Sequence, residues 1–297
     1  METKNIDYYK NKIEEIGSLP TIPAVVFRVM ELIGDENVSF SKLEKVISDD
    51  PPMVAKIMKV ANSGFYRTTS EIKSLKMAIS ILGLDEIRNL VFALSLFSSF
   101  KKLKDSEYFS FTDFWKHSAG VAKVAMAVSK FLRLKLEEAE FVSGLLHDIG
   151  RLVLQSFFQE DYTQIYDLAV KNNTALLEQE KNVWGVSHEA IGEWLAQKWG
   201  LHQDICEVIG NHHTEDYEQL KNKELVAVIS LADHVTKVWG VSNDPLPFMD
   251  EMENNYGYQY LVQKYPKVSE IKWDEWVELW DMQIDEAENF IENVKSI

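Results

Sequence analysis

The sequence predicts an all-α protein on three observations. Gly and Pro are scarce, at 13 and 7 in 297 residues, while Leu, Ile, Val, Glu and Lys are plentiful, a mix that favours helices over sandwiches or barrels. Apolar residues recur in steps of three and four along segment after segment. No alternating strand pattern of useful length appears.

Residues 22–33 form an amphipathic segment entered past Pro20 and Pro23, and 40–47 a second short piece. In SDDPPMVAKIMKVANSGFY, Asp49 or Asp50 caps a helix and Pro51 fits its first position, where a missing N–H costs nothing. Met53, Ile57 and Val60 follow at helical spacing, and Asn62-Ser63-Gly64 ends the element. Helices over 74–82 and 85–100 complete an N-terminal lobe, residues 1–100. The polar run KKLKDSEYFS, 101–110, reads as a domain boundary. Longer helices are expected at 111–132, 137–159, 161–172, 187–199, 202–213 and 222–240, with Ser187 capping the fourth and Gly200 terminating it. The helical domain therefore spans 111–240, and 241–297 is an acidic extension.

The extension is irregular over 243–268, with NDPLPFMD and a Tyr-rich NNYGYQY. It ends in an amphipathic helix carrying Trp273, Val277, Trp280, Ile284, Ala287, Ile291 and Val294. From 250 onward there are 12 acidic and 4 basic residues, about half of the net charge. A helix docked on its own domain with a solvated acidic face is the first expectation, and a partner-binding helix the second.

The net charge of −16 argues against nucleic-acid binding and against an anionic membrane surface. A small anionic ligand stays feasible where a metal or arginine reverses the field. The single cysteine, Cys206, excludes an internal disulfide and fits a reducing compartment. The N-terminus lacks the apolar core of a signal peptide, and the longest uncharged apolar stretch, Leu90 to Phe100, is about half of the roughly 20 residues that span a bilayer. These features predict a soluble cytoplasmic protein.

Several polar residues break the apolar faces. His117 lies on the line Phe114, Val121, Val124. In FVSGLLHDIGRLVLQS, Asp148 lies on the line Phe141, Leu145, Leu152, and His147 stands beside Ser143 and Gly144, small residues that leave room for its ring. His188 shares a face with Ile191 and Leu195, His212 and His213 follow Val208 and Ile209, and Asp233 continues Val226 and Ile229. Any one of these is an ordinary hydrogen-bonded core residue. Burying five imidazoles and two carboxylates together without compensation costs several kcal/mol per charge, and a divalent metal removes that cost. Spacing sets each side chain's direction, not their convergence. Cys206 stands six and seven residues from His212 and His213, which does not set a thiol against a base, and no phosphate-binding glycine loop, HExxH or Cys-x-x-Cys is present.

With these residues in hand, the chain resembles the HDOD family (HD-related output domain) over residues 17–240. The resemblance rests on LPTIPAVVFRVMELI, ISDDPPMVAKIMKVANSGFY and IKSLKMAISILGLDEIRNLV, then on FWKHSAGVAKVA, FVSGLLHDIGRLVL, HEAIGEWLAQKWGL and IGNHH. It implies two helical lobes, the second related to HD-superfamily metal-dependent phosphohydrolases, and a bacterial signalling output for which catalysis is mostly not established. The superfamily's metal pattern maps onto His117, His147, Asp148 and Asp233, with His188, His212 and His213 standing where dinuclear members add histidines. It implies one or two divalent ions (Fe, Mn, Zn, Ni or Mg) with Asp148 bridging and a bound water as nucleophile. Two departures matter. The Gly-Tyr-Pro signature of cyclic di-GMP hydrolases is replaced by TEDYEQL after His213, and the lysine that follows their His-Asp-Ile-Gly is Arg151. Arg151 reads equally as a phosphate clamp or as a salt bridge at a helix surface. The favoured expectation is a regulatory module acting through a protein partner. The alternative is an active phosphohydrolase on a nucleotide or cyclic dinucleotide, with Asp148 and Arg151 catalytic, and a third is a polar relic that binds no metal. The sequence sets no oligomeric state.

Overall fold

The computed structural model describes residues 5–16, 24–32, 40–62, 71–101, 103–136, 139–242, 244–246, 251–270 and 273–295. Among them there are helices and no strand, so the all-α expectation holds. The helices are α1 (Ile6–Ile16), α2 (Ala24–Glu31), α3 (Phe40–Ser48), α4 (Pro51–Ala61), α5 (Leu75–Leu82), α6 (Leu84–Phe100), α7 (Phe111–Leu132) and α8 (Ala139–Leu146). They continue as α9 (Ile149–Phe157), α10 (Gln159–Asn172), α11 (Leu176–Gln179), α12 (His188–Lys198), α13 (Gln203–Asn211), α14 (Lys223–Val238), α15 (Tyr256–Lys264) and α16 (Trp273–Lys295). Pro20, Pro23, Ser63, Gly64, residues 247–250 and the side chains of Trp273 and Val277, all used in the sequence reading, lie outside the described residues.

Two compact units result, each made of two chain pieces: Met1–Leu19 with Leu103–Ala287, and Pro20–Lys102 with Glu288–Ile297. One break falls within the polar run at 101–110. The expected segments 1–100 and 241–297 are each shared between units, because a helix is assigned by where its apolar side chains are buried and not by its place in the chain.

The second unit packs α2 to α6. Asp50 accepts a hydrogen bond from the Met53 amide at 3.0 Å with Pro51 behind it, and Ser74 caps α5 through the Met77 amide at 3.1 Å. Leu43, Ile47, Ile57, Val60 and Ile87 are fully buried there. In α6 every residue from Leu90 to Phe97 is buried, which explains its apolar run without a membrane. No helix among the described residues is long and apolar enough to cross one.

The first unit is built on α7 and α14, which pack along each other, with α8 against α7 and α12 joining α9 to α13. Ser110 and Ser187 cap α7 and α12, and Gly200, at φ +71°, follows the end of α12. Besides the short α11, α1 and α15 went unforeseen. α1 buries Tyr9 and Ile13, Tyr9 packing on Phe158 and Trp184 at ring distances of 5.2 Å. α15 lies inside the segment expected to be irregular and packs on α14. Trp280 and Ile284 of α16 are buried in the same core as Val121, Val226 and Leu261, so these positions dock on the chain itself.

The helix expected at 137–159 is two helices. α8 stops at Leu146, His147 and Asp148 form a turn, and α9 starts at Ile149. Asp148 stands at the cap position with φ −99° and ψ 13°, yet its carboxylate makes no capping bond. The break leaves that carboxylate off the α9 amides, and it accepts instead from the Arg151 guanidinium at 3.0 Å.

Two glycines let the helices come this close. A Cβ on Gly144 would lie 2.6 Å from the Ala122 Cα, so α8 crosses α7 with backbones nearly touching. The room is needed by α7 rather than by the His147 ring. A Cβ on Gly150 would lie 1.9 Å from the His188 carbonyl oxygen and 2.8 Å from the Gly192 amide nitrogen. The α9–α12 approach therefore requires glycine at 150, and it carries His188 up to Asp148.

Candidate metal centre

All seven predicted residues meet in the first unit. Two groups have candidate ligand atoms within 4.8 Å of one another: Asp148 with His188, His212 and His213, and Asp148 with His117 and His147. Asp148 belongs to both. Asp233 of α14 joins the second group, its Oδ1 lying 3.0 Å from His117 Nε2 and 3.6 Å from His147 Nε2. The other Asp148 contacts run from Oδ1 to His188 Nε2 at 3.3 Å and His212 Nε2 at 3.6 Å, and from Oδ2 to His147 Nε2 at 3.6 Å. His213 is partly exposed, its Nδ1 3.9 Å from Asp233 and its amide donating to Glu189.

Four of the rings are oriented from behind. The Nδ1–H of His117 donates to the Val241 carbonyl at 2.8 Å, that of His147 to Gly144 at 2.8 Å and that of His212 to Ile209 at 3.1 Å. A carbonyl only accepts, so Nδ1 carries a proton and each ring turns its Nε2 inward. His147 and His212 follow directly on α8 and α13, and each uses a last-turn carbonyl that has no partner within its helix. His188 is held by a carboxylate instead: Glu180 accepts from its Nδ1 at 2.7 Å and from its amide at 2.8 Å, and itself takes a bond from the Tyr162 hydroxyl at 2.5 Å.

The inner atoms are left over. The buried Nε2 atoms of His117, His147, His188 and His212 and the Oδ1 atoms of Asp148 and Asp233 make no hydrogen bond of acceptable geometry. Imidazole nitrogens face carboxylate oxygens across 3.0 to 3.6 Å. Such an arrangement needs a proton or a metal ion among the atoms. The donor set, imidazole nitrogens oriented by second partners plus shared carboxylates, fits one or two divalent ions.

The surrounding field agrees. Burial pushes the Asp148 carboxyl up, but His147 and Arg151 beside it outweigh that and hold the group well below the usual carboxylate range. Asp233 is likewise held low, against burial, by Lys237 and His117. Burial pushes His188 down, and the Glu180 carboxylate more than offsets it, raising the ring to about 9. The centre thus favours positive charge on that nitrogen. His213 is pushed well below its ordinary value by burial, then by His212 and Lys237.

Arg151 is neither exposed nor at a helix surface. It is buried, with Nη1 3.0 Å from Asp148 and 3.0 Å from Asp244, and Nη2 donating to the Tyr166 hydroxyl at 3.3 Å. Sequence reasoning missed Glu180, Lys237 and Asp244. Lys237 had a signal, standing four residues after Asp233 on one helix, and its Nζ is 2.9 Å from that carboxylate. Glu180 had none, since it opens a π-helical turn, Glu180–Trp184, eight residues before His188. Replacing it by Gln is expected to lower metal affinity about 10- to 100-fold while leaving helix content intact, read by equilibrium competition with a chromogenic chelator. A cavity of about 790 Å³, lined in part by His188, His213, Asp233, Arg151 and Lys237, opens on this centre.

The sequence profile of the HDOD domain matches residues 19–215. This chain belongs to the HDOD family. The HDOD chain is 25% identical to an HDOD domain protein of unknown function from Geobacter sulfurreducens, with a TM-score of 0.79 over 98% of this chain and 99% of that one. Two further structures share the fold at 21% identity. A candidate phosphohydrolase from Shewanella amazonensis has a TM-score of 0.70, covering 96% of this chain and 97% of its own. A candidate signal transduction protein from Marinobacter aquaeolei has a TM-score of 0.74, covering 98% of this chain and 62% of its own. An uncharacterized protein of Treponema pallidum (strain Nichols) is 21% identical over 221 residues, 74% of this chain but 42% of that protein, so the HDOD chain spans less than half of that relative. Asp233, Lys237 and Asp244 lie beyond the matched residues.

Proposed function

We propose that this chain is a cytoplasmic signalling output module whose His/Asp centre holds one or two divalent ions and which acts through contacts with a protein partner. One observation carries the metal: four imidazole nitrogens and two carboxylate oxygens, buried and without hydrogen bonds, aim at one another. His117, His147 and Asp233 would hold one ion, His188, His212 and His213 the other, and Asp148 both. The signalling role is supported by membership of the HDOD family and by the likeness to a candidate signal transduction protein.

The cavity favours a second reading, phosphoester hydrolysis, because it gives a small ligand access to the centre. A divalent ion there supplies Lewis acidity and brings the pKa of a coordinated water towards about 7. The chain's own part would be to keep four rings in the Nδ1–H tautomer, to hold Asp148 and Asp233 ionised, and to set the Arg151 charge beside the cavity.

The test is elemental analysis of the full chain purified without chelator. Bound divalent metal is expected, and a metal-free protein would overturn both readings. Phosphodiester and phosphomonoester panels then separate them. Turnover that disappears in a His147→Ala/Asp148→Ala variant supports the enzyme, and no turnover from metal-loaded protein supports the regulator.

A further inference from the structure

We propose that Arg151 and Lys237 form an anion subsite for the phosphate group of a small phosphorylated ligand, and that Asp244 is its intramolecular competitor. The proposal deepens the metal-site reading and rests on it for the sign of the local charge.

The two cations come from different helices, α9 and α14, and face the same cavity. Each has one carboxylate of the centre beside it: Asp148 at 3.0 Å from Arg151 Nη1, and Asp233 at 2.9 Å from Lys237 Nζ. They share the third. Asp244 places Oδ1 3.0 Å from Arg151 and Oδ2 3.3 Å from Lys237, spanning both with its two oxygens. That is a contact an oxyanion would make, one guanidinium nitrogen on one oxygen and an ammonium point charge on the other.

Asp244 differs from the two carboxylates of the centre. It is contributed by the segment after α14, not by the helices that carry the histidines, and its side chain is 21% exposed where Asp148 is 2% and Asp233 is 5%. It lines the cavity itself, so an anion entering there meets Asp244 on the open side of both cations. A phosphate monoester offers three oxygens and more negative charge than a carboxylate, and the cavity, about 790 Å³ with Leu176 and Tyr256 on its wall, is far larger than the phosphate alone. An organic body of nucleotide size would occupy the remainder.

Charge decides when the exchange is favourable. Leaving the His188–Glu180 pair aside, three carboxylates against two cations leave the metal-free centre one negative. One divalent ion makes it one positive and a second makes it three positive, so a loaded centre attracts a further anion. Asp244 is then the group most easily exchanged, because Asp148 and Asp233 are committed to the histidines.

The experiment is titration calorimetry of the full-length metal-loaded protein with inorganic phosphate, with metal content measured on each preparation. Asp244→Asn keeps the shape and removes the competing charge, so its Kd for phosphate is expected to fall about tenfold relative to the wild type. Asp244→Asn/Lys237→Gln should lose that gain. Asp244→Ser serves the same purpose should Asp244→Asn fold poorly. Unchanged or weaker phosphate binding in folded, metal-loaded Asp244→Asn overturns the subsite and leaves the metal reading standing. A gain seen in protein that carries no metal keeps the subsite and overturns the metal reading. Metal-free protein with no gain overturns both.

Discussion

Asp148→Ala is expected to lose metal from both halves of the centre at once, since Asp148 is the residue common to the two ligand groups. Substituting an outer partner of a ligand costs about 10- to 100-fold in affinity, so removing a ligand shared by two positions should exceed the upper end of that range. Stability should fall as well. Asp148 is the buried counter-ion of Arg151 at 3.0 Å, and breaking a buried pair from one side costs about 3–5 kcal/mol. Asp244 and Tyr166 remain on the guanidinium, which places the loss near about 3 kcal/mol. Metal per chain and the urea midpoint, measured on one preparation, give both numbers. Wild-type metal content in folded Asp148→Ala would mean that the carboxylate is a structural counter-ion and nothing more.

Gly150→Ala should be the most disruptive single-carbon change in the first unit. The added Cβ would stand 1.9 Å from the His188 carbonyl oxygen, and the nearest neighbours are all backbone atoms. No side-chain rotation relieves that contact, so α9 and α12 must separate. Overpacking of this kind costs about 1–3 kcal/mol, and an immovable backbone neighbour puts the cost at or above the top of the range. The second consequence is functional: parting the helices draws His188 from Asp148, across a gap that is now 3.3 Å. Gly192→Ala is the internal control. Its Cβ meets the Ile209 Cγ2 at 2.7 Å, a side-chain methyl, with the nearest backbone atom, the Gly150 nitrogen, at 3.1 Å. It should be the milder of the two in denaturation and in metal retention. Equal stability of Gly150→Ala and wild type would show that the two helices lie farther apart.

The apolar lines carried most of the fold, and they misled at one place. Phe141, Leu145, Leu152 and Leu154 read as one helix because both flanks of the His147–Asp148 turn are buried, and a two-residue turn barely disturbs the phase of the stripe. α15 was hidden for the opposite reason. NNYGYQY looks like a loop by composition, and it is helical because Asn255 caps it through the Tyr258 amide at 2.8 Å and Leu261 is fully buried in the core of α7 and α14. Arg151 was left open between a phosphate clamp and a surface salt bridge because helical spacing does not reveal that Tyr166 and Asp244 lie against it.

By itself the sequence determined the helical class, the capping of α4 and α12, and the chemical kind of each residue in the centre, because these depend on local spacing and side-chain chemistry. It also showed that His117, His147, His188 and Asp233 point inward, since direction follows from the periodicity of each helix. Only the tertiary structure decided that they converge. That depends on how closely α7 meets α8 and α9 meets α12, which glycines at 144 and 150 allow and no periodicity records. The partners Glu180, Lys237 and Asp244 were decided there too, because hydrogen bonds and charge pairs form across space between segments whose separation in the chain carries no signal.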